Sequence, residues 1–241
     1  MTKPVLIAVL LAALSAPVAA DAQFKIPKVL NKGGSSGSVS ESEAGMGIKE
    51  ALTQGVTNAV LNLNKTDGFF GNDAYKMFLP EDAKKIEKTL RAAGMGAQVD
   101  KAVLSINRGA EDAVAFAKPI FIDAIKEMTV TDALNLLRGG KDAATQYFKT
   151  KTTSKLTAAF TPSVQTSLDK VDATKYYTDL VTTYNKMPTT FKKVNPDLTS
   201  FVVAKAIDAL FDQVAQAEAN IRANPMGQAS DLLKKVFGSV K

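Results

Sequence analysis

The sequence predicts an all-α fold, and three observations carry that prediction. Apolar residues recur at three- and four-residue steps along most of the chain, the spacing of one helix face. Alternating runs of strand length are nearly absent, and the β-branched residues sit mostly at helical spacing. Gly, Pro and Ser/Thr/Asp stand where helices of ordinary length begin and end. Together they predict a single compact domain over residues 41–241 with about nine helices.

Residues 1–22 precede that domain and read as a secretory signal peptide. Lys3 supplies the positive start, Val5 through Leu14 form an apolar run, Pro17 breaks it and small residues follow. Cleavage is expected after Ala20 or Ala22. The run is too short for a membrane span of about 20 apolar residues. No Cys follows it to take an acyl anchor. Residues 23–40 form a leader whose Gly33-Gly34-Ser35-Ser36-Gly37-Ser38 predicts a flexible tether. Lys25, Lys28 and Lys32 make it basic, and a weak contact with an anionic membrane surface is one reading of that charge.

The first helix opens on a capping box, Ser40-Glu41-Ser42-Glu43, and carries Ile48, Leu52, Val56, Ala59, Val60 and Leu63 on one face. Asp67-Gly68 ends it. Residues 65–80 are a loop with an aromatic knot, Phe69-Phe70, and Met77-Phe78-Leu79 is locally extended. Pro80 starts a second helix with Glu81 and Asp82 in its first turn, and Gly94 closes it. A third helix spans about residues 97–117, interrupted at Lys118-Pro119. A short apolar helix follows over Ile120–Met128. Thr129 or Thr131 caps the next, which Gly139-Gly140 stops. Another begins at Asp142 and runs through Tyr147, Phe148, Leu156 and Phe160 until Pro162 breaks it. Val164, Leu168 and Val171, then Tyr177, Leu180, Val181 and Tyr184, continue the pattern. Residues 186–197 form a basic loop. A long helix carries Phe201, Ile207, Leu210, Phe211, Val214 and Ile221, and Leu232, Leu233, Val236 and Phe237 form a short last helix.

Composition limits the chemistry. The 241 residues hold 30 Lys+Arg against 24 Asp+Glu, a formal charge of +6, with no Cys, His or Trp. Thiolate nucleophiles, Cys/His zinc sites and Ser-His-Asp catalysis are thereby excluded. Acid/base work would fall to carboxylates, Lys or Tyr. No metal or cofactor motif is present, and no basic stripe with interleaved aromatics suggests nucleic acid.

The best candidate site is the turn Gly139-Gly140-Lys141-Asp142 with Thr145, Tyr147, Lys149 and Lys151 beyond it. A Gly pair lets backbone N–H groups approach a ligand, and a helix N-terminus attracts anions. The same residues also read as a plain C-cap followed by an Asp142 N-cap. A second candidate is Asn107-Arg108 with Glu111 and Asp112, spaced to pair on one helix face. Asp67, Asn72 and Asp73 surround two glycines but lack the calcium-loop pattern. An enzyme would require Asp142, Thr145, Tyr147, Arg108 and Asp123 to converge on one cleft. An apolar pocket above about 300 Å³ would instead point to a carrier of a small molecule, and a flat apolar patch to a protein partner.

Several ordered stretches resemble one family. They are Gly47-Ile48-Lys49-Glu50-Ala51-Leu52, Asp67-Gly68-Phe69-Phe70-Gly71-Asn72, Ser105 through Glu111, Asp123 through Thr129, Gly139 through Phe148, and Ile221 through Pro225 with Asp231 through Phe237. In order and spacing they are similar to exported bacterial proteins grouped as domain of unknown function 4197, over roughly residues 45–238. The resemblance implies an all-helical envelope protein of a Gram-negative cell and no particular reaction. It also implies a lipid-anchoring Cys in many members, which this chain lacks. The sequence therefore leads to the expectation of a periplasmic, non-enzymatic binding or interaction module, with a small molecule or an envelope protein as its partner. An enzyme at the Gly139–Tyr147 turn and a peripheral membrane protein using Phe69-Phe70 are the alternatives.

Overall fold

In the computed structural model, residues 40–92, 94–186, 188 and 193–224 are described. The expected signal peptide, nearly all of the leader, much of the basic loop and the last short helix lie outside them. Eight α-helices and one 3-10 turn make up the described fold, with no strand among the described residues. They are α1 Glu41–Asn64, a turn at Glu81–Ala83 running into α2 Lys84–Ala92, α3 Gly96–Val114 and α4 Ala117–Glu127. After them come α5 Val130–Arg138, α6 Ala143–Asp169, α7 Ala173–Lys186 and α8 Leu198–Ala223.

The four long helices, α1, α3, α6 and α8, pack on one another around the main core. α4 and α5 cover α1, α2 lies on α3, and α7 rests on α6 and α8. Phe69, Phe121, Phe148, Phe160, Ile106 and Leu156 are fully buried at the centre. The Phe121 ring meets Phe148 and Phe211 edge-on, with centroids 5.1 and 6.1 Å away. A smaller cluster of Ala44, Ile48, Met128, Ala133 and Leu134 joins the start of α1 to α5.

Two helix starts form as the sequence predicts. The Ser40 hydroxyl accepts from the Glu43 amide at 3.2 Å, and the Glu43 carboxylate accepts from the Ser40 amide at 3.0 Å. Thr129, not Thr131, caps α5, in a second box with Asp132. Hydrogen bonds from the Thr129 hydroxyl and backbone hold the Asp132 carboxyl below the usual carboxylate range.

Three boundaries differ from expectation. Pro80 stands just outside its helix, which begins with the 3-10 turn. The third helix stops at Val114, and Pro119 lies in the first turn of α4, where its missing N–H is not needed. The largest difference is Pro162, which does not break α6: the helix runs through it for 27 residues. Pro162 faces solvent, while Phe160, Val164 and Leu168 on the opposite face are fully buried. Burying three such side chains contributes about 1.5–3 kcal/mol each. An interior proline costs ~3 kcal/mol, so packing wins. Thr153, Thr157, Thr161 and Thr166 each donate to the carbonyl four residues back, including the Pro162 carbonyl. Replacing Pro162 with Ala is expected to raise the unfolding free energy by about 1–3 kcal/mol, read as a higher urea midpoint. A lower midpoint would mean that the proline shapes the helix.

No helix among the described residues is long and apolar enough to cross a membrane.

Candidate functional site

The Gly139–Tyr147 turn joins α5 to α6. Gly139 ends α5 in an extended conformation, with φ −72°, so left-handed backbone is not why glycine is there. A Cβ would sit 2.7 Å from the Ala143 Cβ, and this close approach is what requires the glycine. Asp142 occupies the N-cap position of α6 but caps nothing; it accepts from Gln146 at 3.2 Å. The anion at this helix start comes from the protein itself. The buried Glu218 carboxylate on α8 accepts from the Ala144 amide (3.1 Å), the Thr145 amide (2.9 Å) and the Thr145 hydroxyl (2.8 Å). Arg222, one turn on, pairs with Glu218 at 2.8 Å and donates to the Leu136 carbonyl at the end of α5. The N–H groups and helix dipole that make this turn attractive to a ligand are thus already engaged. The adjoining crevice, walled by Ile48, Leu52, Leu136, Phe148 and Ile221, has room for about 40 Å³. Binding pockets begin at roughly 300 Å³.

The second predicted group pins the 65–80 loop. Asn107 is fully buried, and its carboxamide accepts from the Met77 amide (2.9 Å) and donates to the Met77 carbonyl (2.8 Å). Glu111 is buried and accepts from the Phe69 and Phe70 amides at 3.1 and 3.2 Å. Arg108 bridges Glu111 to Asp67, and both carboxylates raise its pKa. Gly68 must be glycine, because a Cβ would fall 2.3 Å from the Leu63 carbonyl oxygen. Phe69 is fully buried, so the Phe69-Phe70 pair is a core anchor and not an exposed patch. Asn72 caps its own turn by accepting from the Ala74 amide. No group of three acidic side chains placed to hold a metal ion occurs among the described residues.

The remaining predicted residues stand apart. Asp123 is exposed on α4 and pairs with Lys126. Tyr147 donates to the Ala124 carbonyl at 3.2 Å, and burial raises its hydroxyl pKa. Lys149 is exposed, with its ammonium 5.8 Å from the Phe211 ring. Asp142, Thr145, Tyr147, Arg108 and Asp123 share no hydrogen-bond partner. α1 separates the two main groups: its first half faces Leu136 and Glu218, and its last residue, Asn64, donates to the Glu111 carbonyl at 2.8 Å.

A ligand-sized space opens elsewhere. Between α2, α3, the turn at residues 170–172 and α7 is a cavity of about 330 Å³. Ile86, Leu90, Val99, Ala102, Val171 and Tyr176 make its wall apolar, and Gln98, Lys101, Lys170 and Asp172 stand at its exposed edge. Tyr177 donates to the Asn195 carbonyl at 3.1 Å; burial, with Asp82 adding to it, pushes its pKa up to about 12. Helical spacing carries no sign of this cavity. Its wall residues are the same Ile86, Leu90, Val99 and Val171 that helical spacing marks as core.

The structure is thus that of an all-helical protein with an apolar inter-helix cavity and, among the described residues, with its buried polar side chains hydrogen-bonded within the fold. The chain matches, over residues 38–238, the family described as protein of unknown function (DUF4197), and it belongs to that family. No curated protein and no solved structure matches the chain.

Proposed function

We propose that the protein is a non-catalytic binding module of the cell envelope, exported to the periplasm, that holds a small molecule with an apolar body and an anionic end. The observation that carries this reading is the 330 Å³ cavity between α2, α3 and α7. Its volume falls in the range of ligand sites, its wall is apolar, and its few polar groups are concentrated at the edge. Lys101 and Lys170 stand there against one carboxylate, Asp172, which favours an anionic head. The signal-peptide pattern at residues 1–22 supports export.

The test uses the naphthalene sulfonate dye ANS, an anionic apolar probe, with the whole chain. Saturable fluorescence enhancement is expected at one site, and Ala102→Phe, which fills the cavity, is expected to weaken it at least about tenfold. Enhancement that is equal in the variant, or absent, would overturn the assignment. Native mass spectrometry of protein taken from its own periplasm then identifies the natural occupant by mass.

A further inference from the structure

A groove of about 320 Å³, which shares no lining residue with the cavity between α2, α3 and α7, runs between α1 and α8. Six of its ten lining residues are carboxamides: Gln54, Asn58 and Asn62 on α1, and Gln213, Gln216 and Asn220 on α8. None of the ten is charged, although 22% of the chain is. Random placement would put about two charges there. The floor is Gly55, Ala59, Ala217 and Ile221, and a Cβ on Gly55 would stand 3.5 Å from the Ala217 Cβ, so the two helices approach closely.

We infer that this groove binds an extended peptide segment of small, uncharged residues through its backbone. A carboxamide carries the donor and acceptor pair of a peptide group, so Asn58 and Asn220 can each bond a backbone N–H and C=O, while Gln54, Asn62 and Gln216, whose amide nitrogens already donate within the fold, present their carbonyl oxygens to a backbone N–H. The spacing matches. Carboxamides four residues apart on a helix rise about 6 Å per step, and an extended chain repeats about every 6.5 Å on one face. From Gln54 to Asn62 the ladder is about 12 Å long, enough for roughly four extended residues. The two ladders run in opposite directions, since Asn62 bonds Gln213 at 3.1 Å while Gly55 lies against Ala217 and Ile221. A strand laid along the groove thus meets carboxamides on both edges. The small floor excludes bulky side chains.

One end of the ladder is already oriented. The Gln216 amide nitrogen donates to the Tyr75 hydroxyl (2.9 Å) and to Asp212 (2.8 Å), and the Gln213 amide nitrogen donates to the same hydroxyl at 2.8 Å. These bonds fix both rotamers and leave the Gln216 and Asn62 carbonyl oxygens as acceptors, which lowers the ordering cost of binding. At the middle and far end, the exposed Asn58 and Asn220 side chains make no hydrogen bond to any described residue.

The test titrates the ¹⁵N-labelled full chain with Ala-Ser-Ala-Ser, acetylated and amidated at its ends, and follows the side-chain NH₂ signals of Asn58, Asn62, Gln216 and Asn220. Saturable shifts are expected at millimolar peptide. The backbone N-methylated peptide, which cannot donate, is expected to bind about tenfold more weakly. The exposed double variant Asn58→Ala/Asn220→Ala is expected to lose a similar factor while still binding ANS at the α2–α7 cavity. That control separates failure here from failure of the reading above. Absent shifts, equal binding of the N-methylated peptide, unchanged affinity in the double variant, or shifts caused by maltotriose and not by peptide would each overturn the inference.

Discussion

Glu218→Ala is expected to lower the unfolding free energy by about 3–5 kcal/mol, the range for removing one partner of a buried ion pair. The carboxylate accepts three hydrogen bonds from the start of α6 and pairs with Arg222, which itself holds the last carbonyls of α5. Truncation strands the Ala144 and Thr145 amides and leaves a half-buried guanidinium without its counter-charge. Glu218→Gln keeps an acceptor for the amides and loses only the charge, so about 1–3 kcal/mol is expected. Urea unfolding followed by helical circular dichroism reads both values. Amide exchange adds a local check, because Ala144 and Thr145 should lose protection first. A loss below about 1 kcal/mol for the alanine variant would mean that water replaces Glu218 at little cost.

Glu111→Ala is expected to cost about 3–5 kcal/mol for the same reason at the other end of α1. There the carboxylate accepts from Phe69 and Phe70 and faces Arg108. Phe69 is fully buried, so freeing its amide also loosens a core aromatic. Arg108→Ala should cost less, about 1–3 kcal/mol: buried Glu111 loses its counter-charge but keeps its bonds from the Phe69 and Phe70 amides, and the bridge to Asp67 lies in solvent. The ordering Glu111 well above Arg108 is the result to look for in urea melts. Equal losses would show that Glu111 acts mainly through the ion pair and not through the loop amides.

Both effects fall on carboxylates that helical spacing alone treats differently. Glu111 stands three residues and Asp112 four residues from Arg108, and this spacing marks the group as polar pairing on one face. Its attachment to the 65–80 loop, 41 and 42 residues away, has no local signature. Glu218 lies between Val214 and Ile221 on the apolar face of α8, a charge at a core position. That misfit was readable, but its partner was not. The Gly139–Tyr147 turn is legible as a helix start, whereas the acid that neutralises it arrives from 73 and 74 residues away. Pro162 shows the converse case. Local rules end a helix there, and the buried face of Phe160, Val164 and Leu168 carries it through.

Helical class, most element boundaries, the Ser40 capping box, a threonine cap for α5 and the membership of the apolar faces follow from the sequence by itself. These depend on neighbours within one or two turns, where propensity, capping and a 3.6-residue period act. The tertiary structure alone decided which polar residues spend their hydrogen bonds on the fold and where space remains between helices. It brought Glu218 of α8 to the start of α6 and Asn107 and Glu111 of α3 to the aromatic loop, and it left a cavity behind α2 and two rows of carboxamides along one groove. Such choices arise because chain segments far apart in sequence must satisfy each other's buried amides and fill each other's gaps, and no periodicity in one helix records the face of another.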